Sequence, residues 1–375
     1  MTRMTDIAPD VADLAKGASG RPCLVFDAER LARQAHRFRA GFPGLVTYAV
    51  KANPLPEVLR TLARAGIGAF DVASPAEMEA VRAAVPGAVL HYHNPLRTPE
   101  EVAAGARHGA VSWSVDDGPG LDRLAPLARG TEVAVRLRLP VTGGAYDFGE
   151  KFGADPEAAA ELLRRVAARG FAPSLTFHPG TQCRDPEAWA AYIRAAAGVA
   201  AAAGVRLHRL NVGGGFPHGP DGDGALEAIF ARIGAETRAA FGTAAPALVC
   251  EPGRAMVAGA FGVLARVKAL RGDGAVVLTD GIYGALAEWR DVPRTPEVAV
   301  LDPAGRPRAG GTRARVVFGP TCDSIDRLPE PLALPGDIAE GDAVLFAGMG
   351  AYSAALATRF NGYGDLAVVE GRLGD

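Results

Sequence analysis

One lysine stands where a β-strand is expected to end. In the stretch Thr47–Pro54, an apolar, β-prone run leads to Lys51, and the Asn-Pro pair that follows breaks the strand. The carboxyl ends of strands are where α/β folds place their chemistry. A lysine held against apolar walls loses hydration, so its pKa falls and its neutral amine can attack a carbonyl to form a Schiff base. Lys51 is therefore a candidate nucleophile, although a lysine at a strand end can also be a surface residue whose ammonium reaches water.

Two further motifs follow predicted strands. Their groups could bind a phosphate and the aromatic ring of a cofactor. The run Gly213–Gly215 frees backbone N–H groups to approach an anion such as a phosphate, or it forms a simple tight turn. Glu251 and Arg254, in Glu-Pro-Gly-Arg, form either a local ion pair or part of a cofactor site. If Lys51 carries pyridoxal phosphate, Glu251 would keep the pyridine nitrogen protonated and Arg254 would neutralise the phosphate. A protonated ring favours reactions that pass through a stabilised carbanion, such as decarboxylation.

Three other positions could act with such a site. His178, in LTFHPGTQC, ends a predicted strand and could stack on a planar cofactor, or it is an ordinary hydrogen-bonded residue. Cys322 and Asp323 lie in the turn GPTCDS, where the thiol could donate a proton and the carboxylate could anchor a cationic substrate. The alternative there is a surface turn with a buried cysteine. Tyr352, in GAY, could donate to a phosphate or pack in the core.

The composition limits the class of protein. The 375 residues are 49% hydrophobic, so the chain can bury a large core. With 40 basic and 42 acidic residues and no block of like charge, the chain lacks the features expected for binding nucleic acid or an anionic membrane. It contains no segment of membrane-spanning length and no apolar signal region, which predicts a soluble, cytoplasmic protein that acts on a small molecule. The four cysteines, at positions 23, 183, 250 and 322, are scattered without paired spacing. This argues against a disulfide framework and against a structural zinc site, and we expect no metal site.

The elements that must position these residues alternate between short apolar runs and amphipathic helical stretches, which is the rhythm of βα units. Beyond Arg254, apolar runs separated by Gly, Pro and Asp predict an antiparallel β domain instead. We therefore expect an N-terminal arm at 1–26 that joins the β domain, a barrel at 27–255 and the β domain at 256–375. Eight strand candidates, the number in a (β/α)8 barrel, precede the β domain: TYAVK, AFDVA, VLHYH, VSWSV, VAVRLRL, LTFHP, RLNVGGG and ALVCEPG.

The placement of polar residues favours the barrel over an open doubly wound sheet, which would show the same alternation. Polar side chains fall at the ends of the predicted strands, and in a barrel these ends converge on one face. We expect His91 and His93 to be hydrogen-bonded polar residues without a role of their own. The polar residues at strand ends are Lys51, Asp71, His93, His178, the glycines after Val212, and Glu251.

The motifs YAVKAN, HPGTQC, GGGFP, EPGR, GPTCDS and GAY, in this order over nearly the whole chain, resemble the ornithine/diaminopimelate/arginine decarboxylase family. These are alanine-racemase-like, fold type III enzymes that use pyridoxal phosphate (PLP). The resemblance implies an α/β fold, a (β/α)8 barrel with a C-terminal antiparallel β domain. It also implies that Lys51 binds PLP as a Schiff base, that His178 stacks on the ring and that Glu251 pairs with the pyridine nitrogen. The other cofactor-binding residues it implies are Gly214, Gly215, Arg254 and Tyr352 at the phosphate, with Asp71, Arg136 and Thr181 nearby.

Enzymes of this family are usually head-to-tail homodimers in which the GPTCDS turn reaches the partner's active site. The resemblance thus implies that Cys322 and Asp323 act in trans. Cys-Asp-Ser is similar to ornithine or lysine decarboxylases, where the Asp binds the distal amine, whereas diaminopimelate decarboxylases typically have Cys-Glu-Ser. Asp291, in DGIYGALAEWRDVP, resembles a second carboxylate that faces this amine, after a shift of one residue. Pro179 and Thr181 depart from the Val or Ile and the Ser that are common in the family.

The function that the resemblance implies is decarboxylation of a basic L-amino acid, foremost L-ornithine to putrescine and CO2 in polyamine biosynthesis. Alternatives are lysine, diaminopimelate or a larger amine-bearing intermediate of a secondary pathway, because ornithine and lysine differ by one methylene, worth only ~1–3 kcal/mol in a pocket. A racemase is disfavoured because it would have Arg in place of Glu251. A non-catalytic regulatory homologue is disfavoured because it has no reason to keep Lys51, Cys322 and Asp323 together.

Overall fold

The computed structural model describes residues 7–17, 20–139, 151–219, 224–290 and 297–374 of the chain. The predicted substrate residue Asp291 lies outside the described residues. The chain divides into two compact units: Ala32–Met256 form one, and described residues on either side of them form the other. Within the described ranges, none of the helices has the length and apolar character needed to cross a membrane.

Three elements precede the barrel strands: helix α1 (Pro9–Lys16), strand β1 (Cys23–Phe26) and helix α2 (Ala28–Gly41). α1 begins with a proline, whose missing N–H is not needed in the first turn of a helix. Its residues Val11 and Ala15 are fully buried against Val25 and Leu345, so the N-terminal helix belongs to the core of the second unit.

The unit Ala32–Met256 is a closed barrel of eight parallel strands, which confirms the predicted barrel. Each strand corresponds to one of the predicted apolar runs, because strands that are covered by helices outside and packed inside are apolar on both faces. Pairing of Leu45 with Val249 closes the barrel. The strands are β2 (Leu45–Ala49), β3 (Ala69–Val72), β4 (Val89–Tyr92), β5 (Ala110–Val115), β6 (Glu132–Arg136), β7 (Ala172–Thr176), β8 (Arg209–Asn211) and β9 (Ala247–Cys250).

The helices between these strands begin at residues that the sequence marks clearly. The side chain of Ser74 accepts a hydrogen bond from the Glu77 N–H, and Thr98 and Glu101 form a capping box. A proline follows each of these caps at the first helical position. The helices are α3 (Pro56–Arg64), α4 (Pro75–Ala84), α5 (Pro99–Arg107), α6 (Gly118–Arg123), α7 (Pro156–Ala168), α8 (Pro186–Ala203), α9 (Ala225–Phe241) and α10 (Arg254–Val257).

Side chains inside the barrel are less apolar than in most barrels of this kind, which are filled by layers of Val, Ile and Leu. Several polar residues of the barrel strands are buried, and they include Thr47, Ser112, Glu132, Ser174 and Asn211. Burying a polar group costs free energy unless it is hydrogen-bonded. This polar interior therefore needs an explanation, and part of it lies directly behind the candidate site.

The second unit is built on a seven-stranded sheet in the order β12-β16-β10-β1-β17, with β11 attached to β10 and β14 attached to β11. Most neighbours are antiparallel, which confirms the predicted antiparallel domain, but β1 pairs parallel with β17 and β11 pairs parallel with β14. The elements are β10 (Phe261–Leu270), β11 (Val276–Leu278), β12 (Val298–Leu301), β13 (Thr312–Arg315), β14 (Val317–Phe318), β15 (Leu332–Pro335), β16 (Ala343–Ala347), α11 (Ser353–Leu356) and β17 (Ala367–Glu370).

Candidate active site

A cavity of about 210 Å³ opens at the carboxyl ends of the barrel strands. It brings together five residues that the sequence analysis selected as cofactor-binding or catalytic, and it adds residues that were not selected. The lining residues are Lys51, Asp71, Ala73, His93, Asn94, Pro95, Arg136, Phe152, Thr176, Phe177, His178 and Glu251. They follow or end six of the eight barrel strands, as expected for convergence on one face.

Lys51 lies just beyond β2, in a single 3-10 turn formed by Val50–Ala52. The Tyr48 hydroxyl donates to the Asn53 carbonyl at 3.0 Å, which fixes the chain on either side of this turn. The expectation that Lys51 is held against apolar walls is wrong, because the residue is exposed. Within the described ranges its Nζ makes neither a hydrogen bond nor an ion pair, so the amine is available to a ligand in the cavity.

Glu251 follows β9 and is held from the protein side by two donors. His93 Nδ1 lies 2.5 Å from Glu251 Oε1, and Asn211 Nδ2 donates to the same oxygen. The Asn211 amide has a defined orientation, because its Oδ1 accepts a hydrogen bond from the Gly213 N–H at 2.9 Å. Asp71, on β3, forms a cluster with His93 and Glu251. One carboxylate oxygen of each acid and one ring nitrogen of His93 all lie within 4.8 Å of one another.

The two carboxyl groups of this cluster have pKa values shifted in opposite directions. Burial alone would raise the pKa of Glu251, but the charge of His93 and the hydrogen bonds from His93 and Asn211 lower it to about 2. Burial, and then the negative charge of Glu251, raise the pKa of Asp71 well above its ordinary value. Burial opposes protonation of His93, yet the neighbouring Glu251 outweighs it and the pKa of His93 is raised. Glu251 is thus the carboxyl that carries negative charge, and Asp71 holds a proton more readily.

His178 follows β7 and presents an uncharged ring to the cavity. Its Nδ1 accepts a hydrogen bond from the Gly180 N–H at 3.2 Å, which fixes the ring orientation. Burial, followed by the positive charges of Lys51 and Arg136, lowers the pKa of His178 to about 3. A neutral, flat imidazole in this position can stack on a planar ligand without repelling its positive charge.

The glycine run after β8 lies beside His178 and cannot carry side chains. A Cβ on Gly213 would lie 2.1 Å from the Phe177 carbonyl oxygen, and one on Gly215 would lie 2.1 Å from that of Gly180. Within the described part of the chain, the N–H groups of Gly214 and Gly215 donate to no protein acceptor. The loops after the seventh and eighth strands of a barrel commonly form a phosphate site of this type.

The other predicted cofactor residues of the barrel unit lie around this region. Arg136 ends β6 and its guanidinium lies 4.8 Å from the centre of the Phe152 ring, on the cavity wall. Arg254 is buried at the first position of α10, directly after the loop that carries Glu251. Thr181 lies in the loop after β7 and is not among the residues that line the cavity.

Three predicted residues belong to the second unit. Cys322 is exposed with a free thiol, and its N–H donates to Asn361 Oδ1 at 3.1 Å. Asp323 accepts a hydrogen bond from the Tyr283 hydroxyl at 2.6 Å. This hydrogen bond, together with one from a backbone N–H, lowers the pKa of Asp323. Tyr352 caps α11 with a left-handed backbone, φ 63°.

Comparison with known proteins identifies the chemistry of this cavity. A family model described as "Pyridoxal-dependent decarboxylase, pyridoxal binding domain" matches residues 28–258, well over half of the chain. The chain belongs to the pyridoxal-dependent decarboxylase family. It is a PLP-dependent carboxy-lyase, and its relatives place it among decarboxylases of basic amino acids.

The similarity to individual decarboxylases extends over most of both chains. The lysine/ornithine decarboxylase of Selenomonas ruminantium is 32% identical over 91% of this chain and 87% of its own length. The diaminopimelate decarboxylase of Actinosynnema pretiosum subsp. auranticum is 33% identical over 93% of this chain and 84% of its own. The crystal structure of SrLDC in complex with PLP and cadaverine superposes on this chain with a TM-score of 0.83 and 29% sequence identity. The superposition covers 99% of this chain and 95% of the SrLDC chain.

The residues of this PLP-dependent decarboxylase fit the cofactor. Bare glycine amides suit the phosphate, a neutral His178 suits the ring and an ionised Glu251 suits a protonated ring nitrogen. Asp71 Oδ1 is buried and has no hydrogen-bond partner in the described part of the chain, so a donor on a bound ligand would relieve a costly arrangement.

Two residues that contact Glu251 in this decarboxylase were not predicted to have a role. The expectation that His93 has no role of its own is challenged by its position, because it lies in the cavity wall within hydrogen-bond distance of Glu251. The only signal was that it is a polar residue at a strand end. Asn211 was not selected at all, although it is the last residue of β8 and precedes the glycine run by two positions.

Proposed function

We propose that this enzyme decarboxylates L-ornithine to putrescine and CO2, in polyamine biosynthesis in the cytoplasm. The observation that carries the choice of a substrate with a distal amine is Asp323, a carboxylate next to Cys322 whose orientation is fixed by Tyr283. Its lowered pKa keeps it negative, which suits the distal ammonium of a diamino acid. The similarity to a relative named lysine/ornithine decarboxylase supports the same substrate class.

The barrel residues would bind and orient PLP and the substrate. When bound, PLP supplies an electron sink for the electrons released as CO2 leaves the α-carbon. Lys51 would hold the cofactor covalently, and the N–H groups of Gly214 and Gly215 with Arg254 would hold its phosphate, together with Tyr352. Glu251 would stabilise positive charge at the ring nitrogen, and His178 would stack on the ring from one side, with Asp71, Arg136 and Thr181 as further neighbours.

Cys322 would complete the reaction. As the bond from the α-carbon to the carboxylate breaks, a new C–H bond must form at the same carbon, and the Cys322 thiol would supply that proton. The thiol is exposed and free, which a proton donor to a ligand requires. Lys51, whose amine is exposed at the cavity, would be the residue that holds the cofactor between turnovers.

We propose that the active enzyme is a homodimer and that Cys322 and Asp323 act in the partner's site. Apolar side chains near this turn in the second unit support an interface, since three of them are exposed in the single chain. Ile325 is 62% exposed, Leu356 46% and Phe360 41%. Burial of these side chains against a second copy would place the turn at a protein surface where a neighbouring site can receive it.

Lysine is the nearest alternative substrate, and diaminopimelate is a further one, favoured by the similarity to a diaminopimelate decarboxylase. Diaminopimelate carries a carboxylate beside its distal amine, so the negative Asp323 would disfavour it. We would measure CO2 release by the PLP-loaded enzyme from L-ornithine, L-lysine, meso-diaminopimelate and L-arginine. Faster turnover of ornithine than of lysine, with diaminopimelate inert, is the expected result. Preferred turnover of lysine, diaminopimelate or arginine would contradict the proposal.

A further inference from the structure

His93 lies in the cavity wall and joins Glu251 to Ser112, a buried residue of the barrel interior. Its side chain is only 6% exposed, and its two ring nitrogens face Glu251, directly after β9, and Ser112, on β5. Nδ1 lies 2.5 Å from Glu251 Oε1, and Nε2 lies 2.8 Å from Ser112 Oγ on β5. Nothing in the proposed reaction uses His93 directly, so a buried imidazole with both nitrogens bound has no explanation yet.

We propose that His93 is a positioning residue for the cofactor ring: it holds Glu251 from behind, so that the second carboxylate oxygen faces the cavity. This inference rests on the proposed role of Glu251 at the ring nitrogen. It does not depend on which amino acid is the substrate.

The hydrogen bonds show why one oxygen remains for a ligand. The Gly213 N–H fixes the Asn211 amide, so its Nδ2 must face Glu251 and donate. An ionised carboxylate can only accept, so the Nδ1 of His93 must carry a hydrogen toward it. Both donors meet Oε1, whereas Oε2 has no partner among the described residues. Because Glu251 lines the cavity, Oε2 is the oxygen that a ring N–H can reach.

Ser112 allows this arrangement to persist in either charge state of His93. A hydroxyl can donate to Nε2 of a neutral imidazole, or accept from Nε2–H of an imidazolium after rotation. The titratable groups that face His93 are Glu251, Asp71, Glu132 and His91. The His91 ring lies 5.6 Å from the His93 ring, and neither of its nitrogens has a partner in the described part of the chain. Glu251 is thus the only one of these groups that His93 holds directly.

Arg97 fixes the backbone that carries His93. Its guanidinium donates to the carbonyls of Tyr92 at 2.9 Å and Asn94 at 2.6 Å, the residues on either side of His93. It also donates to the Ser114 carbonyl on β5, the strand that supplies Ser112. Backbone and side chain of His93 are therefore both tied to β5, as expected for a residue whose task is to position another.

Three variants test this inference through cofactor binding rather than turnover. His93→Leu fills the volume but removes the donor, and His93→Asn keeps an N–H near the position of Nδ1. His91→Leu is the matched control, since it removes a neighbouring buried imidazole of the same barrel interior. For each variant we would measure the PLP dissociation constant by equilibrium dialysis and the absorbance spectrum of the bound cofactor across pH, without substrate.

We expect His93→Leu to weaken PLP binding by about 10–100-fold, by analogy with the loss of metal affinity when a residue that supports a metal ligand is removed, and to change the spectrum. His93→Asn should restore most of the affinity, and His91→Leu should bind PLP like the unchanged enzyme. Wild-type affinity and spectrum in His93→Leu would overturn the inference, as would an equal loss in His91→Leu. If His93→Leu does not fold, Ser112→Ala tests the inference instead, because it removes the hydrogen-bond partner of His93 Nε2. It should also weaken PLP binding, and unchanged binding would overturn the inference.

Failure of the inference can be told apart from failure of the proposed function. An enzyme that binds PLP and responds to the His93 variants, yet releases no CO2 from ornithine or lysine, contradicts only the proposed substrate. An active ornithine decarboxylase whose cofactor binding ignores the loss of His93 contradicts only the positioning role.

Discussion

Glu251→Gln removes the charge of Glu251 while keeping the approximate shape of its protonated form. The pKa of Glu251 is about 2 in the folded chain, against 4.5 for an unperturbed glutamate. This difference is about 2.5 pKa units, and each unit corresponds to about 1.4 kcal/mol. Folding therefore favours the ionised form of Glu251 over its protonated form by about 3 kcal/mol. Because Gln resembles the protonated acid, we expect the PLP-free variant to lose about 3 kcal/mol of unfolding free energy near neutral pH.

The sign of the pH dependence follows from the lowered pKa. A carboxyl group with a depressed folded pKa stabilises the protein above its unfolded pKa, and this stabilisation is lost as the pH falls through the folded value. The difference between wild type and Glu251→Gln should therefore stay constant above pH 4.5 for as long as His93 keeps its charge, and it should shrink toward pH 2. Urea unfolding of both proteins at a series of pH values, followed by circular dichroism, measures this difference.

Asp71→Asn is the matched control, because it makes the same chemical change at the neighbouring carboxyl. The pKa of Asp71 is raised by burial and by Glu251, so its ionised form opposes folding. Asn should leave stability unchanged or increase it near neutral pH. The reasoning is refuted if Glu251→Gln is as stable as the wild type, or if the two amides destabilise the chain equally.

Three further outcomes concern the reaction. Cys322→Ala should slow amine formation by ~10²–10⁴ in single-turnover measurements, with PLP binding unchanged. Asp323→Ala should reduce kcat/KM for ornithine on the order of 10²-fold, because the distal ammonium loses its partner, and full activity would exclude that role. Lys51→Ala and Cys322→Ala proteins should each be nearly inactive. If the two sites of a dimer are shared, mixing the dissociated subunits should restore about a quarter of wild-type activity, because half of the dimers are mixed and each mixed dimer has one complete site. No recovery after verified subunit exchange would contradict a site shared in trans.

The barrel could be predicted from the sequence because its signals are local. Each parallel strand is a short apolar run, and helices such as α4 and α5 begin with a capping residue followed by proline. The second unit was harder. β15 gives a weak local signal because its four residues Leu332–Pro335 follow a proline-rich stretch, and the parallel pairing of β1 with β17 joins segments from opposite ends of the chain. Pairings of that kind depend on tertiary packing, which no local pattern encodes.

Site residues were predictable where they sit in a distinctive motif and were missed where they act through another side chain. Lys51, Glu251 and the glycine run were found because lysine, carboxylate and bare backbone at strand ends indicate chemistry by themselves. His93 indicates little alone, and its contact with Glu251 joins residues 158 positions apart. The exposure of Lys51 was also missed, since an apolar run before a lysine does not show where the side chain points.

The polar groups inside the barrel become understandable once the two carboxyls are considered together. Two carboxylates so close to each other cannot both ionise freely, and burial favours protonation of each. His93 breaks this equivalence, because it contacts Glu251 and not Asp71, and Ser112 anchors it to the adjoining strand. One carboxyl is then held negative while the other keeps a proton more readily. An apolar residue in place of His93 would leave Asn211 as the one described donor to Glu251, and the negative charge would be held less firmly on the carboxyl that we propose for the ring nitrogen.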